Sequence, residues 1–410
     1  MARITSSVLV LFCVKLASLM DPACVIDLEC EECVPDNMPL VTSHRAANGS
    51  VRVEDGDEVT LACGGGKFLA YPLRESLGAV CRGGRFLAHP DGALRHLLEL
   101  GCQESVFEDV LHEVEHCAPP LQGRAVRTRA PGSGAPRHLA TLCFDADRAV
   151  AAFARAGNAP AGLALPPHSE ARAPLSLLGN LQQLFDARLR ADARRLFSDD
   201  ARLERRLRGL LRPERVALAA QALTAAPLLA PRYFDGQSAR AAGFEAGAVL
   251  AWRGVAAGNL RHLQRDVARL LRAAPPRALD VYAGTHGVLS LRAGAARRPL
   301  FLKPGRFPVP QYVWTVVHDA AARRALALVL LNDPFVAVSE IRERVFCESA
   351  CGRAAWLRDL RENRNYEVPA QGLVFCCPVH DFAAVVAEMP RRALADVPAG
   401  DAGMLVDSYA

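Results

Sequence analysis

Residues 279–288 read LDVYAGTHGV, and they open a series of apolar segments that ends with ALALVLL at 325–331. These segments are short and rich in β-branched, aromatic and leucine residues, and Gly, Pro or charged residues separate them, which is typical of β-strands. The pattern predicts four strands, at Leu279–Ala283, Gly287–Leu291, Tyr312–Val317 and Ala325–Leu331. Because these strands follow one another closely along the chain, we expect a mixed or antiparallel sheet.

Helical patterns precede these strands. Asn259 comes before leucine and valine residues that recur every three or four positions as far as Leu270. Ser198–Asp200 supplies a cap and early acidic residues for an earlier helix. Pro213 begins a further predicted helix that extends to Leu223. Helices mixed with consecutive strands favour an α+β fold over a doubly wound parallel sheet.

The amino-terminal part of the chain differs, because its short apolar runs are separated by Gly, Asp and Cys. Its predicted strands are Val51–Val53, Glu58–Ala62, Lys67–Ala70 and Arg85–Ala88. We therefore expect a small, disulfide-containing, β-rich module before the main domain. The predicted segments are the module at 23–156, a linker at 157–174, the main α+β domain at 175–380 and a tail at 381–410.

The composition is that of a folded protein. Of 410 residues, 51% are hydrophobic and 23% are charged, which excludes a disordered, collagen-like or coiled-coil chain. The formal net charge is +5, and nearly all of the positive charge is arginine, whose planar guanidinium suits phosphate recognition. A charge this small permits contact with phosphates but does not demand it.

Residues 1–22 predict a secretory signal peptide. Arg3 gives the basic start, Val8–Val14 is the apolar centre, and small residues follow. No later stretch reaches the roughly 18 to 20 apolar residues that a membrane-crossing helix needs. We therefore expect a secreted, extracellular protein without a membrane span. Asn48 begins the sequon Asn-Gly-Ser, which predicts glycosylation on a surface loop.

Cysteine usage indicates the same compartment. Of the 13 cysteines, twelve remain when Cys13 leaves with the signal peptide. An even set behind a signal peptide predicts disulfide bonds, although their pairing does not follow from sequence alone. The spacing of Cys30 and Cys33 also occurs in zinc sites, but no second pair with zinc spacing follows. A disulfide bridge is the better interpretation of that pair.

His112, Glu113 and His116 form the pattern HExxH, in which two histidines of one helix face hold zinc and the glutamate is the general base. Cys117 and then Ala118–Pro120 follow at once and leave no room for the third histidine of a metzincin. A zinc peptidase is therefore an alternative. A polar helical turn beside a disulfide bridge is the favoured interpretation.

A longer arrangement is more specific than this motif. Five segments occur in order: GNL at 258–260, LDVYAGTHGV at 279–288, PVP at 308–310, WTVVHD at 314–319 and NDP at 332–334. Together they resemble the DNA/RNA non-specific endonucleases of the ββα-metal (His-Me finger) type, in the version found in arthropod digestive nucleases. Cysteine-containing flanks at 61–64, 142–145 and 351–377 resemble that family as well. The resemblance implies a nuclease-like α+β domain with flanking helices over 175–380.

Enzymes of this family use a histidine as general base on water, and an asparagine with waters holds one Mg²⁺ against the scissile phosphate. By the resemblance, the general-base position falls on Leu228, the magnesium-ligand position on Gly247 or Ala248, and the helix glutamate on Gln264. A shift of register does not restore these groups, because no His occurs from 169 to 261 and no Asn from 181 to 258. Leucine cannot take a proton, and neither glycine nor alanine offers Mg²⁺ a side-chain oxygen.

The resemblance and the missing groups together predict a secreted nuclease homologue that does not hydrolyse nucleic acid. Arg232, Arg240 and Arg253 are the candidate contacts to DNA or RNA phosphates. No cofactor is expected, and Mg²⁺ is required only if hydrolysis persists. The enzyme alternative is an active Mg²⁺-dependent endonuclease with unconventional residues, for which His262 and His286 are the candidate bases.

Overall fold

The structure is a computed structural model that describes residues 22–27, 31–44, 50–63, 66–104, 107–111, 117–129, 136–156, 200–210, 221–234, 247–273, 278–293, 296–362 and 366–407. The chain divides into two compact units, of which the first comprises 1–106 and 129–134 and the second 107–128 and 135–410. The expected module at 23–156 therefore takes in strands of both units. Nearly all of the expected signal peptide and the whole linker at 157–174 lie outside the described residues.

The first unit consists of short antiparallel strands. They are β1 (Cys24–Asp27), β2 (Leu40–Val41), β3 (Ser50–Val53), β4 (Glu58–Ala62), β5 (Ser76–Arg82), β6 (Arg85–Ala88) and β7 (Leu94–Arg95). Five of these strands form a sheet in the order β2-β4-β5-β6-β7, and β1 pairs with β3. Every second residue of β5 is buried, as expected for a sheet with one face in the core.

Three of the four strands predicted in this unit are present, as β3, β4 and β6. The predicted strand Lys67–Ala70 is wrong. Phe68 makes only an isolated bridge with Cys102, and the backbone N–H groups of Phe68 and Leu69 bind the carbonyls of Arg74 and Gly101 instead of a strand. Single hydrogen bonds to residues 74 and 101–103, and not a continuous strand pairing, therefore satisfy the backbone there.

The second unit contains the remaining strands. They are β8 (Phe107–Leu111), β9 (Gln122–Arg129), β10 (Pro136–Asp145), β11 (Val150–Ala156), β12 (Leu223–Pro227), β13 (Ala248–Trp252), β14 (Leu279–Val288), β15 (Ser290–Ala293), β16 (Ala296–Pro299), β17 (Phe301–Lys303), β18 (Arg306–Pro308), β19 (Pro310–Asp319), β20 (Arg324–Leu331) and β21 (Leu373–Cys377). Eight of them form one sheet in the order β21-β20-β19-β14-β11-β10-β9-β8, and β12 pairs with β13. Its central pairings, from β10 to β21, are antiparallel.

The helices of the second unit are short. They are α1 (Asp200–Leu210), α2 (Arg261–Leu271), α3 (Val338–Arg344), α4 (Arg358–Glu362) and α5 (Val379–Val385). The predicted helices at α1 and α2 are present, whereas Leu223, which we expected on a helix, lies in strand β12 opposite Trp252. The described part of the chain is thus an α+β fold with largely antiparallel sheets, as the sequence predicts.

One face of the eight-stranded sheet carries a large apolar core, in which Trp314 and Phe382 are fully buried. Val386, Met389 and Val397 are buried in the same core. The expected tail at 381–410 therefore supplies core residues at least as far as Val397. Burial of such side chains stabilises the fold by about 1.5–3 kcal/mol each.

Disulfide bonds reinforce both units, as predicted. The bridges include Cys24–Cys81, Cys63–Cys102, Cys117–Cys143, Cys347–Cys377 and Cys351–Cys376. Cys33 is disulfide-bonded as well, so every cysteine among the described residues is in a bridge. Within the same described residues, none of the helices combines the length and the apolarity needed to cross a membrane.

Gly284 lies in β14 against the indole of Trp314. A Cβ atom at this position would lie 2.3 Å from Cζ2 of Trp314 and 2.4 Å from the carbonyl oxygen of Ala152. We expect Gly284→Ala to lower the free energy of unfolding by about 2–3 kcal/mol, because a buried ring and a neighbouring strand must both shift. Chemical denaturation followed by tryptophan fluorescence measures this loss. Gly352→Ala is the control, since no atom lies within 4 Å of the added Cβ there, and an equal loss in both variants would contradict the explanation.

Candidate functional site

Strands β12 and β13 form a hairpin that leads directly into a helix. They pair along their whole length, from Leu223 opposite Trp252 to Pro227 opposite Ala248. The chain then passes through a short helical turn and a π-type turn at Ala256–Leu260 before α2 begins. We call residues 221–234 and 247–273 the hairpin–helix unit.

The start of the helix is fixed by a close backbone approach. Gly258 departs from helical geometry, with φ −90° and ψ −119°, and a Cβ atom there would lie 2.9 Å from the carbonyl oxygen of Gln371. The next side chain, Asn259, is fully buried and donates from Nδ2 to the carbonyl of Gly372 at 2.6 Å. Glycine at 258 therefore allows α2 to begin against residues 371–372.

Asn332 ties the hairpin to the large sheet. Its side chain is fully buried, and its Oδ1 accepts the backbone N–H of Trp252 at 3.2 Å. Its Nδ2 donates to the carbonyls of Leu250 and Pro310, both at 3.0 Å. The ring of Trp252 packs edge-on against Phe335, with the centroids 5.0 Å apart. One amide thus links strands β13 and β19.

Asp266 ties α2 to helix α4. Its carboxylate is fully buried and accepts the backbone N–H groups of Arg358, Asp359 and Leu360 at 2.9–3.0 Å. The guanidinium of Arg269 also contacts this carboxylate. A side chain of one helix therefore satisfies the free N–H groups at the start of another.

The positions that the resemblance assigns to catalytic groups lie together at the end of the hairpin where Pro227 pairs with Ala248. The backbone N–H of Leu228 donates to the carbonyl of Gly247 at 2.9 Å. From α2, Nε2 of Gln264 donates to the carbonyl of Pro227 at 3.0 Å. The last residue of β12, the first residue of β13 and the Gln264 side chain of α2 thus meet at this point.

The groups at this point have little capacity for acid–base chemistry. Leu228 is 2% exposed and has no proton acceptor in its side chain. The Gln264 amide is neutral, and its Nε2 is engaged with Pro227. The residues present do not fit Mg²⁺, because this ion prefers carboxylate oxygens and Leu228, Gly247 and Ala248 offer no side-chain oxygen. In the described ranges, no group of three or more His, Cys, Asp or Glu is placed to hold a metal ion.

Two of the three predicted phosphate contacts lie in the hairpin–helix unit. Arg232 is half-buried in the turn Pro231–Tyr233 after β12, and Arg253 is exposed in the turn after β13. Burial lowers the pKa of the Arg232 guanidinium, the charge of Arg265 lowers it further, and Asp359 opposes this shift. Arg240 lies outside the described residues.

The two candidate histidines lie on different elements. His262 is half-buried on α2. His286 lies on β14, where its Nδ1 is 2.7 Å from Oε2 of Glu388 and its ring stacks on Tyr312 with centroids 6.1 Å apart. His286 is thus engaged with residues of the large sheet and of the chain after α5. It is not engaged with the hairpin.

Other predicted sites lie outside the described residues. Asn48 and residues 112–116, which contain His112, Glu113 and His116, belong to this group. The next residue, Cys117, is bridged to Cys143. The glycosylation and zinc hypotheses stay predictions.

Sequence reasoning overlooked Arg261, Arg265 and Arg272, which lie with Arg232 around α2. The sequence does indicate that these arginines share a helix face, because Arg261 and Arg265 are four residues apart on a helix whose other side is apolar. The high arginine content of the whole chain obscured this spacing.

Comparisons with known proteins add little to this geometry. The chain matches no family model and no curated protein sequence. A similar solved structure is the crystal structure of the EndoG/EndoGI complex, which concerns the mechanism of EndoG inhibition. The likeness has a TM-score of 0.27 and 11% sequence identity, and it covers 50% of this chain and 80% of that chain. A likeness this distant carries no argument about function.

Proposed function

We propose that this chain is a secreted, nuclease-like protein in which the hairpin–helix unit has the ββα-metal arrangement but does not hydrolyse phosphodiesters. One observation carries the proposal. The three positions that the resemblance assigns to general base, metal ligand and glutamate meet at one point, and Leu228, Gly247 or Ala248 and Gln264 occupy them. The disulfide bonds support an oxidising, extracellular compartment.

The chemical argument is the loss of two separate contributions. General-base catalysis contributes about 10²–10⁴ in rate, and leucine cannot supply it. A metal ion that neutralises charge on the transition-state oxygens contributes several kcal/mol more, and no side-chain ligand stands at its position. What the unit retains is positive charge. We propose that Arg232, Arg240 and Arg253 bind the phosphates of DNA or RNA.

A digestion series tests this proposal. Purified mature protein is incubated with plasmid DNA and with RNA in Mg²⁺, Mn²⁺ or a chelator, and we expect no metal-dependent cleavage above that of a buffer control. Robust Mg²⁺-dependent cleavage by the unmodified protein would overturn the proposal. The matched sample is the double variant Leu228→His, Ala248→Asn, which restores a base and a metal ligand. Cleavage by this variant alone would support the assignment of both positions.

A further inference from the structure

Residues 386–397, which follow helix α5, lie on the face of the eight-stranded sheet that carries the apolar core. Four apolar side chains of this segment are buried in that core, namely Val386, Met389, Leu394 and Val397. Polar contacts lie near its two ends, since Glu388 and Asp396 each face a histidine of a central strand. We call residues 386–397 the covering segment.

The two histidines, His286 and His318, lie on the same face of the sheet. In the pairing of β14 with β19, His286 is opposite Tyr312 and Asp280 is opposite His318. Alternate residues of a strand share a face, and so do opposite residues of paired strands, so both histidines lie on the core face with Tyr312. The six positions from 312 to 318 span about 20 Å, at about 3.3 Å per residue. The covering segment therefore crosses the core face between two histidine–carboxylate contacts.

The contact at one end is a short hydrogen bond. Nδ1 of His286 lies 2.7 Å from Oε2 of Glu388, and both side chains are half-buried. The imidazole stacks on Tyr312, whose pKa burial raises and on which the charges of Arg344 and Asp333 act in opposite directions. A hydrogen bond between an imidazolium and a carboxylate is roughly twice as strong as one between neutral groups. Protonation of His286 therefore strengthens this contact.

The contact at the other end is incomplete. Nε2 of His318 lies 3.6 Å from Oδ1 of Asp396, beyond hydrogen-bond distance, and the imidazole is 5% exposed. Among the described residues, neither ring nitrogen of His318 has a hydrogen-bond partner. A buried polar atom without a partner is costly. Protonation places an N–H on both nitrogens and a positive charge beside Asp396, which draws the two groups together to hydrogen-bond distance.

Two carboxylates act at the position of His318. On β14, Asp280 is opposite His318, and Nη2 of Arg155 on β11 lies 3.1 Å from both oxygens of this carboxylate. Burial raises the pKa of the adjacent Tyr282 to about 12. The charge of Arg155 opposes this shift, and the charges of Asp280 and Asp396 add to it. Both carboxylate charges are therefore felt at the place where His318 would carry its proton.

The other elements packed against this end contribute backbone contacts to the covering segment. On β20, the residue opposite His318 is Ala325, which carries no charge. Nε of Arg323 donates to the backbone carbonyl of Asp396 at 2.8 Å. On α5, Nε2 of His380 lies 2.8 Å from the carbonyl oxygen of the last residue of the segment. Because a carbonyl accepts from a neutral or a charged imidazole, the contact of His380 depends less on protonation than those of the other two histidines.

We propose that His286 and His318 form a pH-sensitive clamp on the covering segment. When both rings are protonated, a charge-assisted hydrogen bond holds each end of the segment, and the clamp is closed. When the rings lose their protons, the bond to Glu388 weakens and Asp396 is no longer attracted. Histidine ordinarily changes charge between about pH 5 and 8, so the clamp closes as the pH falls through this range and opens as it rises. None of these residues belongs to the hairpin–helix unit, so the clamp is independent of the proposed function.

Hydrogen–deuterium exchange at about pH 5.5 and about pH 8 tests the clamp, after correction for the intrinsic pH dependence of amide exchange. The backbone N–H groups of Met389, Ala393 and Val397 are suitable reporters, because they donate to carbonyls within the covering segment. In the unmodified protein we expect their protection to be about 10-fold higher at the lower pH, because two hydrogen bonds then involve charged groups. The double variant His286→Gln, His318→Gln keeps polar side chains that do not titrate. We expect it to show equal protection at both pH values.

The matched control is His89→Gln, because His89 faces Glu58 at 3.4 Å in the first unit. It should leave the pH difference in the covering segment unchanged. If circular dichroism shows that the double histidine variant does not fold, Glu388→Gln with Asp396→Asn takes its place, since it removes both carboxylates and should likewise abolish the difference. The clamp is overturned if the unmodified protein shows no pH difference or more protection at the higher pH. It is also overturned if the difference persists in a folded double variant or disappears in His89→Gln.

Discussion

Asn332→Ala is expected to lower the free energy of unfolding of the second unit by about 3–5 kcal/mol. The change removes three hydrogen bonds at once, and it leaves the N–H of Trp252 and the carbonyls of Leu250 and Pro310 without their partner. Asn332 is fully buried, so water cannot replace the amide without a rearrangement. An unsatisfied buried polar group costs about 1–3 kcal/mol.

Tryptophan fluorescence during urea denaturation measures this effect on the second unit alone, because all three tryptophans, Trp252, Trp314 and Trp356, lie in it. Gln311→Ala is the control, since that amide donates one hydrogen bond, to the hydroxyl of Tyr312 at 3.1 Å, and we expect a loss of about 1 kcal/mol. Asn332→Asp keeps an oxygen that accepts the N–H of Trp252, but it replaces the amide NH2 by an oxygen that faces the carbonyls of Leu250 and Pro310. It should be nearly as destabilising as alanine. A loss below 1 kcal/mol in both Asn332 variants would mean that the hairpin is held by other contacts.

The strands that sequence predicts best are those with the least ambiguous pattern. Ala325–Leu331 is a continuous apolar run, and Thr315 alone interrupts the run Tyr312–Val317. Both runs lie within central strands that are buried on both faces. Leu223 shows the limit of such reasoning. Residues 222–226 are rich in alanine, which favours helix locally, but pairing with β13 makes them a strand. Tertiary contacts decide such a segment, and a local pattern does not contain them.

The candidate site, too, could be predicted only in part from the sequence. The resemblance places the three family positions on Leu228, Gly247 or Ala248 and Gln264, and the predicted absence of a base and a ligand follows from residue identity alone. Their meeting at one point depends on the hairpin register and on the turn at Gly258, neither of which can be derived from spacing. The same is true of Asn332, because its three partners are 22 to 82 residues distant in sequence.

The pairing of the cysteines could not be predicted from the sequence. Their even number after a predicted signal peptide indicates bridges, and the described cysteines are all bonded. Cys376 and Cys377 are adjacent, yet they bridge to different partners, Cys351 and Cys347. Adjacent residues of a strand point to opposite faces of the sheet, so each sulfur meets a different segment. Only the fold identifies those segments.

The second large effect is expected at Asp266. We predict that Asp266→Ala lowers the free energy of unfolding of the second unit by about 2–4 kcal/mol. The carboxylate accepts three N–H groups at the start of α4, and loss of a helix cap alone costs about 0.5–2 kcal/mol. The N–H of Leu360 is buried and would be left without an acceptor. Arg269 would keep Asp359 as a partner.

Two further variants separate the role of Asp266 as an acceptor from its role as a charge. Asp266→Asn retains one acceptor oxygen and removes the charge, so it should lose about half as much stability as alanine. Asp401→Ala is the control. The Asp401 carboxylate also pairs with an arginine, Arg353, but its side chain is 74% exposed. An exposed ion pair contributes at most about 1 kcal/mol to stability. Equal losses in Asp266→Ala and Asp401→Ala would refute the capping role. A large loss confined to Asp266 would mean that one buried carboxylate of α2 holds this helix against the start of α4.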